Sequence, residues 1–266
     1  MMKLNIMESY YFLFILKLHC LSVLIFDIIE IIKNISKWMY FYRYSSINRI
    51  KGRGIYMKKL CRAVMYCIGL VILAVGIILN TKTGLGVSPI ISIPYCISNI
   101  WGMNLGNATL CVYILCVMGQ MVLRGKKFRY FDLLQIPMSV VFSIVINVFN
   151  DMIIINFDNL GFRLLLLAAA IILTGIGVAI SVEMKFVPNA ADGLTQALAE
   201  KMNKGLGFAK NMVDVVSVTI TLLIGLTFGG KVIGIGIGTL AAVLGVGRSI
   251  ALVSMLFKKQ MSALVN

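Results

Sequence analysis

Apolar positions in this chain fall in long, nearly unbroken blocks rather than in the alternation of a half-buried strand. Residues 63–79 (AVMYCIGLVILAVGIIL) hold no group that titrates near neutrality, and 162–182 (FRLLLLAAAIILTGIGVAISV) hold a single Arg at the edge. A membrane span needs about 20 predominantly apolar residues, so both blocks predict transmembrane helices. Residues 107–123, 133–155, 212–228 and 232–257 are comparable, although each carries a polar residue or a glycine run. The pattern therefore predicts an all-α integral membrane fold with six spans.

One segment breaks this pattern. In TGLGVSPIISIPYCISNIWGMNLG, residues 83–106, Gly or Pro recurs at 84, 86, 89, 94, 102 and 106. Non-helical backbone at membrane depth is tolerated only where it is buried in protein or lines a polar cavity, because its unpaired N–H and C=O groups cannot face lipid. Two expectations stand side by side. Either 87–101 dips into the bilayer or lies at its interface, or it is a short kinked span.

Internal repetition bears on that choice. With Gly76 set against Gly177, the two halves run in step: a glycine-containing span, then Pro89 or Pro188, then Leu105-Gly106 or Leu206-Gly207, then two further spans. Residues 189–203 are thus the second broken segment. The halves are assigned as 57–160 and 161–266, each a membrane repeat of three spans with a broken re-entrant or interfacial segment after its first helix. An odd number of spans per half makes the repeats inverted.

Charge supports the same arrangement. At 60% apolar and 13% charged residues, with mean hydropathy +0.95, the chain is far from the soluble average of about 25% charged. The net charge of +15 does not form a basic face interleaved with aromatics, so nucleic acid is not an expected partner. The basic residues instead sit between apolar blocks, in MKKLCR (57–62), in RGKKFR (124–129), at Lys185, Lys201, Lys204 and Lys210, and at Lys258 and Lys259. Such loops stay cytoplasmic. All of them reach one side only if 87–101 does not cross. The expected location is a bacterial cytoplasmic (inner) membrane with a cytoplasmic C-terminus, and 156–161 and 229–231 as external turns.

Residues 1–56 form a separate N-terminal extension. Its apolar run, 10–32, contains Lys17, His19, Asp27 and Glu30, and the polar positions from His19 to Lys37 recur every three to five residues. An amphipathic interfacial helix is expected. A competing reading starts the protein at Met57.

From Met57 onward the chain resembles the YczE/YitT-like group of bacterial multi-pass membrane proteins. The features that carry the resemblance are KTGLGVSP (82–89), VPNAADGL (187–194), GFAKNMVDVV (207–216) and GIGIGTL (234–240). In that group an Asp closely follows the first-half proline, whereas Ile90 and Ile91 stand here, so a first-half carboxylate role does not carry over.

Ionisable groups inside a membrane are costly and are functional hypotheses by default. Asp192 follows the second break, with Asn189 and Gln196 near enough to share a polar patch on a helix. Asp214 lies four residues after Lys210, a spacing that equally suits a structural ion pair. The first half offers Asn80, Ser88, Ser92, Gln135 and Asn147, which line a cavity or simply hydrogen-bond across helices. Together with Pro89 and Pro188 these are the candidate substrate-binding residues.

GIGIGTL lacks the Gly-Lys-Ser/Thr ending of a phosphate loop. Close helix approach or an unwound start to the last span explains it. The six cysteines lack metal-ligand spacing and His19 stands alone, so no metal or cofactor is expected. No nucleophile–base pair is visible, and an enzyme is not expected. The expected function is a small-molecule transporter or permease with its site between the repeats. The alternative is a non-transporting scaffold, or the substrate-binding subunit of a larger complex. The lipid bilayer is a partner in either case, with an unidentified small molecule or partner protein.

Overall fold

The structure is a computed structural model and describes residues 51–128, 130–155 and 159–265. The expected amphipathic extension, with His19, lies outside these residues apart from 51–56. The chain divides into Met1–Lys58 and Lys59–Asn266, and the second unit is the membrane core.

Among the described residues there are eight α-helices and no strand. They are α1 (Lys51–Lys82), α2 (Pro89–Trp101), α3 (Leu105–Arg124), α4 (Gln135–Met152), α5 (Leu160–Glu183), α6 (Ala190–Met202), α7 (Leu206–Gly229) and α8 (Ile237–Val265). Six of them, α1, α3, α4, α5, α7 and α8, are long and apolar enough to cross a membrane. The last span begins later than its apolar block, at Ile237 rather than 232, because 230–236 are not helical and Gly234 takes φ 78°.

At the centre, α1 and α5 run antiparallel and in close contact. A Cβ at Gly76 would lie 2.6 Å from the Thr174 amide nitrogen, and one at Gly177 would lie 2.5 Å from the Leu73 amide nitrogen. Small residues at such a crossing let the backbones approach, which is how helices associate tightly without a hydrophobic driving force.

Both ends of this pair are tied by an arginine. Arg62 Nη2 donates to the Met184 carbonyl (2.8 Å), and Arg163 Nε donates to the Thr83 carbonyl (2.6 Å). Each bond satisfies a carbonyl where the partner helix stops and the chain turns into an extended link. Shifting by 101 positions carries Arg62 onto Arg163, Thr83 onto Met184, and Leu73 and Gly76 onto Thr174 and Gly177. The same shift carries α2 onto α6 end for end, and Gly102 onto Asn203, both left-handed C-caps.

α2 and α6 are 13 residues each, about 20 Å long, well short of a bilayer core of about 30 Å. α2 lies parallel to α7. Ser92 meets Thr221 at 2.7 Å, and Trp101 packs on Phe228 with ring centroids 5.5 Å apart. α6 lies parallel to α3 in the same manner, from Asn189 beside Tyr113 to Glu200 beside Arg124. Each short helix thus starts partway along its partner and ends where the partner ends.

The links before these helices leave the helical ladder, so their backbone groups need other partners. In the first link the Val87 amide donates to the Gly234 carbonyl (2.9 Å), and the Gly238 amide donates to the Leu85 carbonyl (2.7 Å). This contact accounts for the glycines at every second position: a Cβ at Gly236 would overlap the Leu85 carbonyl oxygen, and one at Gly238 would lie 2.8 Å from that of Gly86. In the second link side chains do the same work. Tyr66 Oη donates to the Val187 carbonyl (2.9 Å), and Gln120 Nε2 donates to that of Ala190, the first residue of α6 (3.0 Å).

Candidate functional site

The N-terminus of α6 sits among α1, α3 and α4, and several candidate residues converge there. Asn189 caps the helix, its Oδ1 accepting from the Ala191 amide (3.4 Å) while Nδ2 donates to Tyr113 Oη (3.1 Å). Gln135 and Gln120 exchange two amide hydrogen bonds, at 2.8 and 3.0 Å, and both are almost fully buried. Tyr66, Tyr113, Gln135, Ser139, Pro188 and Asn189 line a cavity of about 10 Å³. That is about the space of one water.

Asp192 lies in the first turn of α6, where the helix dipole favours a negative charge. It is half-buried and makes no hydrogen bond or ion pair with the described residues; Lys210 and Asp214 are the charged groups that act on it. Those two pair with each other, Lys210 Nζ to Asp214 Oδ1 at 2.5 Å, as their i,i+4 spacing predicts. Lys210 remains accessible, whereas Asp214 is buried. Gln196 stands one turn beyond Asp192, half-buried.

The first-half candidates are more dispersed. Ser88 and Pro89 form the N-terminal end of α2, and Ser92 bonds both Thr221 and the Pro89 carbonyl. Asn147 accepts from the Gly106 amide (2.8 Å) and donates to Asn107 Oδ1 (2.9 Å), holding α4 to α3. Asn80 is buried on α1, and its Oδ1 has no hydrogen-bond partner among the described residues.

Sequence reasoning missed Tyr66, Tyr113, Gln120 and the ion cluster around Arg124. Arg124 contacts Asp132 (2.7 Å) and forms a two-pronged pair with Glu200 (3.0 Å for both bonds), tying the end of α6 to the end of α3. Tyrosines inside apolar runs look like ordinary span residues, and Arg124 looks like part of a topological signal. Only the reach of Gln120 and Gln135 into two neighbouring spans offered a clue.

The glutamine pair makes a prediction. Gln135→Leu leaves the Gln120 amide short of a partner, so a loss of roughly 1–3 kcal/mol is expected. The double change to Leu should recover much of it, since removing both partners is far cheaper than orphaning one. Thermal unfolding of the detergent-solubilised protein measures both.

Six apolar helices, no strand among the described residues and polar groups gathered between helices define a multi-pass helical membrane protein. Residues 60–255 match the family described as a family of unknown function, DUF6198, and the chain belongs to it. It is also similar to "Uncharacterized protein YyaS" of Bacillus subtilis (strain 168), 26% identical over 184 residues, which cover 67% of this chain and 85% of that protein. No solved structure matches it. The family shown is DUF6198; neither comparison carries the YczE/YitT name.

Proposed function

We propose that the protein is a small-molecule transporter or permease of the bacterial cytoplasmic membrane, built from two inverted three-span repeats. α2 and α6 are its re-entrant helices, entering from opposite sides. The observation that supports this reading is the exchange relation between the halves. Arg62 holds the Met184 carbonyl while Arg163 holds that of Thr83, and α2 lies along α7 while α6 lies along α3. A two-fold axis in the membrane plane, between α1 and α5, would send each of these pairs into the other.

Inverted repeats with interrupted helices commonly carry their sites near the bilayer midplane, at half-helix ends. In this reading that position holds the N-termini of α2 and α6, and Asp192 offers there a carboxylate with no hydrogen bond to the described residues. A cationic group or a proton is the ligand chemistry it suits. The reading includes no catalysis, metal or cofactor.

A second reading keeps the fold and removes transport: a scaffold, or the capture subunit of a larger complex. The exposed basic residues Lys126, Lys127, Lys185, Lys201 and Lys204 favour it, since a docking subunit needs a charged cytoplasmic face. Untargeted comparison of metabolite accumulation with and without the protein separates the two. Uptake that depends on the protein alone supports the first; binding by purified protein without uptake supports the second.

Topology follows from the repeat reading. Cysteine accessibility is expected to report Lys127, Lys204 and Lys258 on the cytoplasmic side and Asp158 on the opposite one. Lys127 and Lys204 on different sides would sink the inverted repeat.

A further inference from the structure

The two halves differ in one respect. In the first, α4 packs along α3: Ser139, Phe142, Ser143 and Ile146 are all at most 5% exposed, and a Cβ on Gly106 would overlap the Ser143 carbonyl oxygen. The positions 101 residues later are bare. Leu240, Val243 and Leu244 are 68%, 40% and 62% exposed, and Arg248, the counterpart of Asn147, is exposed as well. Gly207, the counterpart of Gly106, would have nothing within 4 Å of an added Cβ. Among the described residues α8 lies along α5, with no packing on α7 to match that of α4 on α3.

We infer that the bare face of α8 closes onto α7, and that α4 leaves α3 as it does so. The occupant of the face is α7 of the same chain, because the first half shows what such a pair looks like when closed: a glycine at the start of the first helix receives the backbone of the second. Lipid covers apolar side chains equally well, but an arginine on the face is costly there. Closure brings Arg248 to the start of α7, as Asn147 stands at the start of α3. Tyr113, beside the small cavity, has Asp214 as its counterpart. The exchange therefore covers Lys210, which is accessible beside Asp214, and widens the cavity beside Tyr113 and Asn189. This deepens the transport reading and rests on it: the site is reached from one side in each arrangement.

Paired cysteines test it in the full chain with Cys20, Cys61, Cys67 and Cys111 replaced by Ala and the buried Cys96 and Cys116 kept. Asn107→Cys with Asn147→Cys reports the first pair of helices, and Phe208→Cys with Arg248→Cys reports the second. Oxidation in native membranes should form each disulfide in part of the population. With all four substitutions together, forming the first should lower the yield of the second by about tenfold. Gly207→Leu fills the open space at the start of α7; it should leave the amount of protein and the 107–147 disulfide unchanged and abolish the 208–248 disulfide.

The inference is overturned if 208–248 never forms, if both disulfides form in one molecule, or if Arg248→Cys alone yields a disulfide-linked dimer. The last result would assign the face to a second copy. Crosslinking needs no substrate, so the two readings fail separately. Exchanging disulfides without uptake would leave this inference and remove transport; uptake with fixed disulfides would do the reverse.

Discussion

Gly177→Leu should remove the folded protein rather than merely weaken it. The new Cβ would lie 2.5 Å from the Leu73 amide nitrogen and 2.7 Å from its Cα, and neither atom belongs to a side chain that can rotate aside. The central helices must separate to admit even one methyl group, and a leucine needs far more room. A cost of about 3 kcal/mol, the upper part of the usual range for overpacking, is expected for this change, and a smaller one for Gly177→Ala. Gly247→Leu is the matched control, because a Cβ there meets nothing within 4 Å. The height of the monodisperse peak in size-exclusion chromatography reads both. A normal peak for Gly177→Leu would show that the α1–α5 crossing is not as tight as described.

Asp192→Asn is expected to harm ligand handling while leaving folding intact. The substitution keeps the size of the side chain and most of its hydrogen-bonding capacity, and the carboxylate makes no hydrogen bond or ion pair with the described residues that its loss could break. What disappears is the charge. An interaction with that charge is worth roughly 1.5–3 kcal/mol, or about ten- to a hundredfold in affinity. Binding of the transported compound, once uptake comparison has identified it, measures the loss, and thermal unfolding should show little change. Unaltered binding and uptake across a range of pH, with Asp192→Leu misfolded, would make Asp192 a helix-end residue and favour the scaffold reading.

Much of the fold was legible because lipid imposes a simple code. Blocks such as 63–79 can hardly be anything but spans, and Gly and Pro between 83 and 106 mark a break whatever its purpose. The Gly76–Gly177 alignment was readable because both glycines serve the same crossing. The partners of the break were not readable. Nothing in GIGIGTL says that it lies against residues 85–87, since backbone hydrogen bonds between distant segments leave no trace in side-chain pattern beyond the need for smallness. Arg62 and Arg163 were legible as charges near span ends, but a guanidinium bonded to a carbonyl 122 or 80 residues away in sequence has no local signature. In the candidate site, Asn189 and Asp192 stood out because polarity next to a helix break is conspicuous. Tyr66 and Tyr113 did not, because a tyrosine in an apolar block is recognisable as polar only once its hydroxyl has a partner.

The way the two links are satisfied sets an order of assembly. Residues 85–87 find their backbone partners in 234–238, a segment synthesised about 150 residues later, whereas the second link is met by Tyr66 and Gln120, which the ribosome has already delivered when Val187 and Ala190 emerge. With synthesis at about 5–20 residues per second, the first link waits on the order of ten seconds for its partner, its amides held meanwhile by water, by lipid headgroups or by the insertion machinery. The first link is therefore the later of the two to be completed, although it is made first. A chain stalled before Ile233 carries five spans and an unfinished break, which is the form that membrane quality control would meet.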